Sequence, residues 1–145
     1  MASFVYTSLV RDEGKGLVNF DTATLKVMLL KRSHTPLKNT HENVSDISSD
    51  EISGSDATGY DAGGKELTGV TFVKDGTNSR AVLDANNPSW NPSSITAGYA
   101  VVYISTGNPA TSKLVGLFDF GAAKSSSSDR FQINFNDSGM VQWTC

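Results

Sequence analysis

Apolar and polar residues alternate along much of this chain with the two-residue period of a half-buried β-strand. Phe131, Ile133 and Phe135 alternate with Gln132 and Asn134, and in residues 113–120 Leu114, Gly116, Phe118 and Phe120 alternate with Val115, Leu117 and Asp119. Residues 95–105, with AVVYI at their centre, form the strongest predicted strand. Leu25–Leu30 reads LKVMLL and is apolar on both alternating sets, which predicts a strand covered on both faces. Further strands are expected at residues 17–20, 65–68, 70–74, 80–84 and 140–144. Asp75-Gly76 opens a turn between two apolar runs and predicts a hairpin of residues 70–74 with 80–84. Asn86-Asn87-Pro88 and Asn91-Pro92 predict two breaks, with Trp90 isolated between them.

Two segments depart from this pattern. Residues 4–11, FVYTSLVR, suit either a short helix or an extended arm, ended by Gly14 and Gly16. Residues 1–16 are therefore read as an N-terminal arm or short helix. Residues 31–64 are rich in Ser, Thr, Asn, Asp and Gly, hold both histidines, and carry Val44, Ile47 and Ile52 as isolated apolar positions. A structureless loop of that length is uncommon, so a helical turn near residues 43–48 and a short strand near Ile52 are expected within it. The whole reads as a single domain over residues 1–145. Its predicted class is all-β: an antiparallel β-sandwich, jelly-roll-like, of eight or nine short strands, with an N-terminal arm or helix and one long polar loop excursion.

Composition sharpens this. The 145 residues include 19 Ser, 13 Thr and 13 Gly but only 38% hydrophobic residues, which argues against a helical bundle and for strands joined by turns. A net charge of −3 leaves no basic excess to neutralise phosphates, so nucleic acid is not an expected partner. The single cysteine, Cys145, makes neither an internal disulfide nor a cysteine-based zinc site, and it does not occupy the position of a prenylation box. The longest apolar runs, residues 27–30 and 100–104, fall far short of the roughly 20 residues that span a bilayer. Residues 1–10 lack the basic start of a signal peptide. A soluble protein of a reducing compartment is expected, with no membrane partner.

Candidate chemistry is sparse. Gly59–Lys65, GYDAGGK, satisfies most of a phosphate-binding loop, but Glu66 replaces the Ser or Thr and a strand pattern follows where a helix is needed. A glycine-rich turn explains it better. His34 and His41 lie seven apart without a HExxH pattern, and exposed loop histidines are the simpler reading against a metal pair. Asp46, Asp50, Glu51, Asp56 and Asp61 are oxygen ligands suited to calcium, without EF-hand spacing; a solvated acidic loop is the alternative. Trp90, Trp143, Tyr60, Tyr99 and Tyr103 suit either a sugar-binding face or core and interface anchors. No Gly-x-Ser-x-Gly elbow occurs, and Cys145 is a poor nucleophile at a chain end. No catalytic, cofactor-binding or metal residue is assigned, and a non-enzymatic binding or structural role is expected.

Several segments in order carry a resemblance. These are FVYTSLVRDEGKGLVNFDTATLKVMLL, SDEISGSDATGYDAGGKEL, AVLDANNPSW, SSITAGYAVVYISTG and KLVGLFDFG, closed by an apolar strand at residues 140–144. Together they resemble a family of small structural proteins of tailed bacteriophages and prophages. The resemblance covers most of the chain, and none of its motifs is catalytic. It implies a virion protein made in the host bacterial cytoplasm. Specifically, it implies a capsid decoration, or cement, protein on the capsid surface, a dimer or trimer that bridges neighbouring subunits of the major capsid protein. On that reading Phe4, Val5 and Tyr6 of the arm, with Ile47 and Ile52 of the excursion, are the candidate partner contacts; alternatively the arm packs on its own domain. Two other classes are weighed. One is a tail, neck or fibre-associated β-sandwich that binds host glycan. The other is a small esterase or glycosidase, for which the sequence offers no converging residues.

Overall fold

In the computed structural model, which describes residues 3–145, the described residues form ten strands and one α-helix. The strands are β1 (Phe4–Val5), β2 (Leu25–Leu30), β3 (Ala57–Thr58), β4 (Lys65–Glu66), β5 (Thr71–Asp75), β6 (Arg80–Asp84), β7 (Ser89–Ile104), β8 (Lys113–Ser125), β9 (Asp129–Gln132) and β10 (Val141–Thr144); the helix α1 is Thr7–Gly14. Every ladder is antiparallel. The larger sheet runs β1-β8-β7-β2-β4, with β3 and β9 added onto β7; the smaller runs β10-β6-β5. The two pack as an all-β sandwich.

β7 organises the larger sheet. Its second half pairs with β2 and β8, while its first half pairs with β9 and β3. On one face of the larger sheet, Val27, Leu29, Ala100, Val102 and Val115 pack with Leu83, Met140 and Val141 from the region of the smaller sheet. On the other face, Met28, Leu30, Tyr99, Val101, Leu114 and Leu117 pack with Tyr6, Val44 and Ile47. β2 is therefore covered on both sides, as its unbroken apolar pattern predicts, and Lys26 is its only residue not fully buried. The cover on the second face comes from the excursion of residues 31–64 together with Tyr6 of the N-terminal segment. The excursion holds three short 3-10 turns, Val44–Asp46, Ser48–Asp50 and Gly54–Asp56, and isolated bridges from Glu51 to Leu30 and from Asn43 to Lys113.

The N-terminal segment is both of the alternatives its sequence allows: a two-residue strand on β8, then a helix. α1 stops where Gly16 turns to φ +73° and its N–H bonds to Glu13 O. Its Asp12, buried, holds Arg11 and Lys113 at 2.9 Å each, and Arg11 also grips Glu42 of the excursion at 3.0 Å. Helix, excursion and β8 are thus stitched together.

Three strand expectations are corrected. Residues 17–20 form no strand, because the Asn19 carbonyl takes the N–H groups of Thr22 and Ala23 and its side chain takes that of Asp21; this local turn competes with any ladder. β7 is not broken at Asn91-Pro92. It passes through that peptide with an irregularity in its β9 register between Trp90 and Ser93, the setting in which a strand accommodates proline. β9 ends at Gln132, yet Phe131, Ile133 and Phe135 are all buried. The alternation there reports side-chain direction, while the backbone bonds go to Pro88 O and the Asn87 side chain.

Candidate partner-binding surface

The five contact residues named from the sequence do not form a surface. Tyr6 and Ile47 are 0% exposed and Ile52 is 3% exposed, all against their own chain. Tyr6 bonds through its N–H to Val115 O and stacks edge-on against Phe4; burial pushes its phenol pKa up. Ile52 N–H bonds to Leu29 O. Only Phe4 and Val5, half-buried at the β8 edge, retain accessible surface. The correction has a plain cause. An isolated apolar residue in a polar excursion is what pins that excursion to a sheet, so Ile47 and Ile52 are spent internally.

His34, Asp46, Asp50 and Glu51 are likewise engaged within the fold. His34 is buried rather than exposed: its Nδ1 lies 2.7 Å from Asp50 Oδ2, its ring is 5.7 Å from that of His41, and Tyr99 meets it edge-on. Neither His34 Nε2 nor His41 Nδ1 has a partner among the described residues. Burial, and then the neighbouring His34, hold the His41 pKa below its ordinary 6.5. The acidic residues of the excursion serve separate tasks. Asp46 accepts the N–H groups of Glu42 and Asn43, Asp50 faces His34, and Glu51 accepts from the Tyr60 hydroxyl at 2.6 Å and Gly63 N–H at 2.7 Å. Among the described residues no group of three or more His, Cys, Asp or Glu side chains converges to hold a metal ion. No described helix is long and apolar enough to cross a membrane.

A groove of about 340 Å³ runs past Lys26, Glu51, Gly63, Tyr103 and Asn108. Its central polar groups are already satisfied: Glu51 as above, and the Tyr103 hydroxyl by Gly63 O. The Gly59–Lys65 run forms the turn into β4, where Gly64 (φ +84°) lies so close to β2 that a Cβ would overlap the Val27 carbonyl. It is a glycine demanded by close approach rather than by phosphate. The five aromatics proposed for sugar form no exposed face, and Tyr60 and Trp90 pack on each other at 5.7 Å. Trp90, Tyr60, Tyr99 and Tyr103 are buried, and Trp143 packs with Phe20 and Phe72 while donating to Glu13.

Val10, Leu17 and Leu37 are exposed singly, whereas the smaller sheet exposes two adjacent apolar residues. β5 is one of its two edge strands, with Phe72 38% and Val73 54% exposed. Phe72 sits 5.2 Å from Phe20 and 5.3 Å from Trp143, so its ring is held in place. The sequence carried a signal for this that the strand pattern alone obscures. Phe72 and Val73 are adjacent and must point to opposite faces, so in a sandwich one of them faces outward.

Fold and surface together define a β-sandwich in which the candidate chemical groups are tied to its own architecture and two exposed apolar residues, Phe72 and Val73, stand side by side on a sheet edge. Comparison with protein-family models, curated proteins and solved structures gave no match.

Proposed function

We propose that this chain is a non-enzymatic virion structural protein, a capsid decoration protein that bridges neighbouring major capsid subunits and stabilises the head of a phage. One observation carries the structural half of this reading. The groups that could do chemistry, His34 with Asp50 and Glu51 with Tyr60, are tied to each other within the fold, while Phe72 and Val73 stand exposed on an edge strand. That division suits a protein that works by contact. The ordered resemblance of its segments to small phage structural proteins supports the virion assignment, and the slightly acidic net charge of −3 suits a protein partner over nucleic acid. The mechanism is mechanical: each contact is small, and a symmetric shell multiplies it.

Copy number per particle, measured by quantitative mass spectrometry of purified virions against the major capsid protein, tests the proposal. A fixed proportion to the shell subunits is expected. A count matching one small ring or a few fibres moves the protein to the neck or tail, the glycan-binding alternative. Absence from the particle overturns the virion reading.

A further inference from the structure

We propose that the free edge of β5 pairs with β5 of a second copy of this chain. The pairing is antiparallel about a two-fold axis at Val73 and joins two three-stranded sheets into one of six. The direction of the backbone groups carries the argument. Ser79 O, just before β6, accepts from Cys145 N, and Leu83 O on β6 accepts from Met140 N, each at 2.9 Å. Odd-numbered residues there turn their polar groups to β10, so Arg80, Val82 and Asp84 turn theirs to β5. Their partners are Asp75, Val73 and Thr71. The N–H and C=O groups of Phe72 and Lys74 therefore point away from the sheet, and no backbone group of a described loop reaches them.

This edge is complementary to itself. β5 has five residues, and only an axis at Val73 pairs all of them with a second copy. Phe72 then lies opposite Lys74 of the other copy, twice, and both of those pairs have outward backbone groups ready to exchange hydrogen bonds. Val73 faces Val73 in the closer, non-hydrogen-bonded site, and Thr71 faces Asp75. No like charges oppose each other, whereas an axis one residue on would set Lys74 against Lys74. The Lys74 ammonium of the second copy also meets the Phe72 ring, already braced by Phe20 and Trp143. An exposed apolar edge of this kind is a pairing template unless a protein blocks it.

The contact is small. A pair of five-residue strands falls below the roughly 1,200 Å² of a stable interface, so free copies exchange between monomer and dimer. Copies held side by side on a repeating shell reach the local concentration that closes the pair. That last step rests on the proposed function, while the dimer itself does not.

Sedimentation equilibrium of the full chain from about 10 µM to about 1 mM reads the association directly. The average mass is expected to climb from 15.4 kDa toward twice that value. V73K and V73E alter an exposed side chain, and unchanged melting curves will verify their fold. Each alone is expected to stay monomeric, its association at least tenfold weaker, and an equimolar mixture is expected to recover the dimer because opposite charges then meet at the axis. In the wild type, hydrogen exchange of the Phe72 and Lys74 amides is expected to slow as concentration rises. A wild type that stays monomeric, a V73K protein that dimerises normally, a mixture that fails to associate, or exchange at Phe72 and Lys74 indifferent to concentration each overturns the proposal. None of these outcomes alters the copy number in virions, so the two proposals fail separately.

Discussion

Ile47→Ala separates the two roles this residue can have. If Ile47 is an anchor of the excursion, the substitution acts on folding; if it is a partner contact, it acts on binding alone. Ile47 is 0% exposed and packs with Val44, Met28 and Leu30 in the layer behind β2. The change deletes three carbon atoms, worth about 2.4 kcal/mol at about 0.8 kcal/mol per methylene. The cavity left behind raises the total to about 3–4 kcal/mol. With a urea slope of about 2 kcal/mol per molar, the unfolding midpoint falls by about 1.5–2 M. Leu37→Ala, at an exposed position in the same excursion, is the control and is expected to change stability by less than about 0.5 kcal/mol. Urea titration followed by circular dichroism and tryptophan fluorescence reads both. Equal midpoints for the two variants would refute the docking of residues 31–64 on the back of the larger sheet, and would return Ile47 to the surface.

The remaining predictions concern the polar network and the tight turns. Tyr60→Phe strands the buried Leu29 N–H, which lies 3.0 Å from the Tyr60 hydroxyl, and removes a donor from Glu51; a loss of about 2–4 kcal/mol in the same titration is expected, and a neutral result would mean that water replaces the hydroxyl. Gly64→Ala, with its Cβ against the Val27 carbonyl at φ +84°, is expected to abolish soluble folded protein, whereas Gly14→Ala, with open space around it, leaves the melting temperature the same or higher. Stability is also expected to depend on pH in two windows. Because the folded His41 pKa lies below 6.5, the unfolded chain binds the proton more readily, so stability is lost as pH falls through 6.5 toward the folded value; His41→Gln removes that slope. Asp119, held by Arg32 at 2.6 Å and by Gly121 N–H, has its pKa lowered from 3.8 to about 2, so its contribution is present above pH 3.8 and lost as pH falls toward 2. Melting temperatures measured across both ranges check these slopes.

Local signals accounted for much of the fold. The Asp75-Gly76 turn between two apolar runs specified the β5–β6 hairpin, and the doubly apolar LKVMLL segment showed that β2 is covered on both faces. Composition pointed to short strands and turns before any pairing was known. Where local signals failed, a competing bond was the reason. Asn19 draws three neighbouring N–H groups into a turn where residues 17–20 looked like a strand, and the long β7 ladder carries Pro92 through because its neighbours pair on either side.

The sequence by itself determined that this is an all-β chain, because side-chain alternation is a local property that about four to eight residues reveal. It also placed both histidines and a run of acidic residues within residues 31–64. Only the tertiary structure decided what those residues do. Glu51 meets Tyr60 nine residues away, Tyr60 meets Leu29 thirty-one residues away, and His34 meets Asp50 across sixteen, so their roles depend on contacts no local window contains. The same holds for the surface. Ile47 and Val73 are both apolar residues beside polar ones, yet Ile47 is enclosed and Val73 is open, because burial depends on which segment folds over a residue and not on the residue itself.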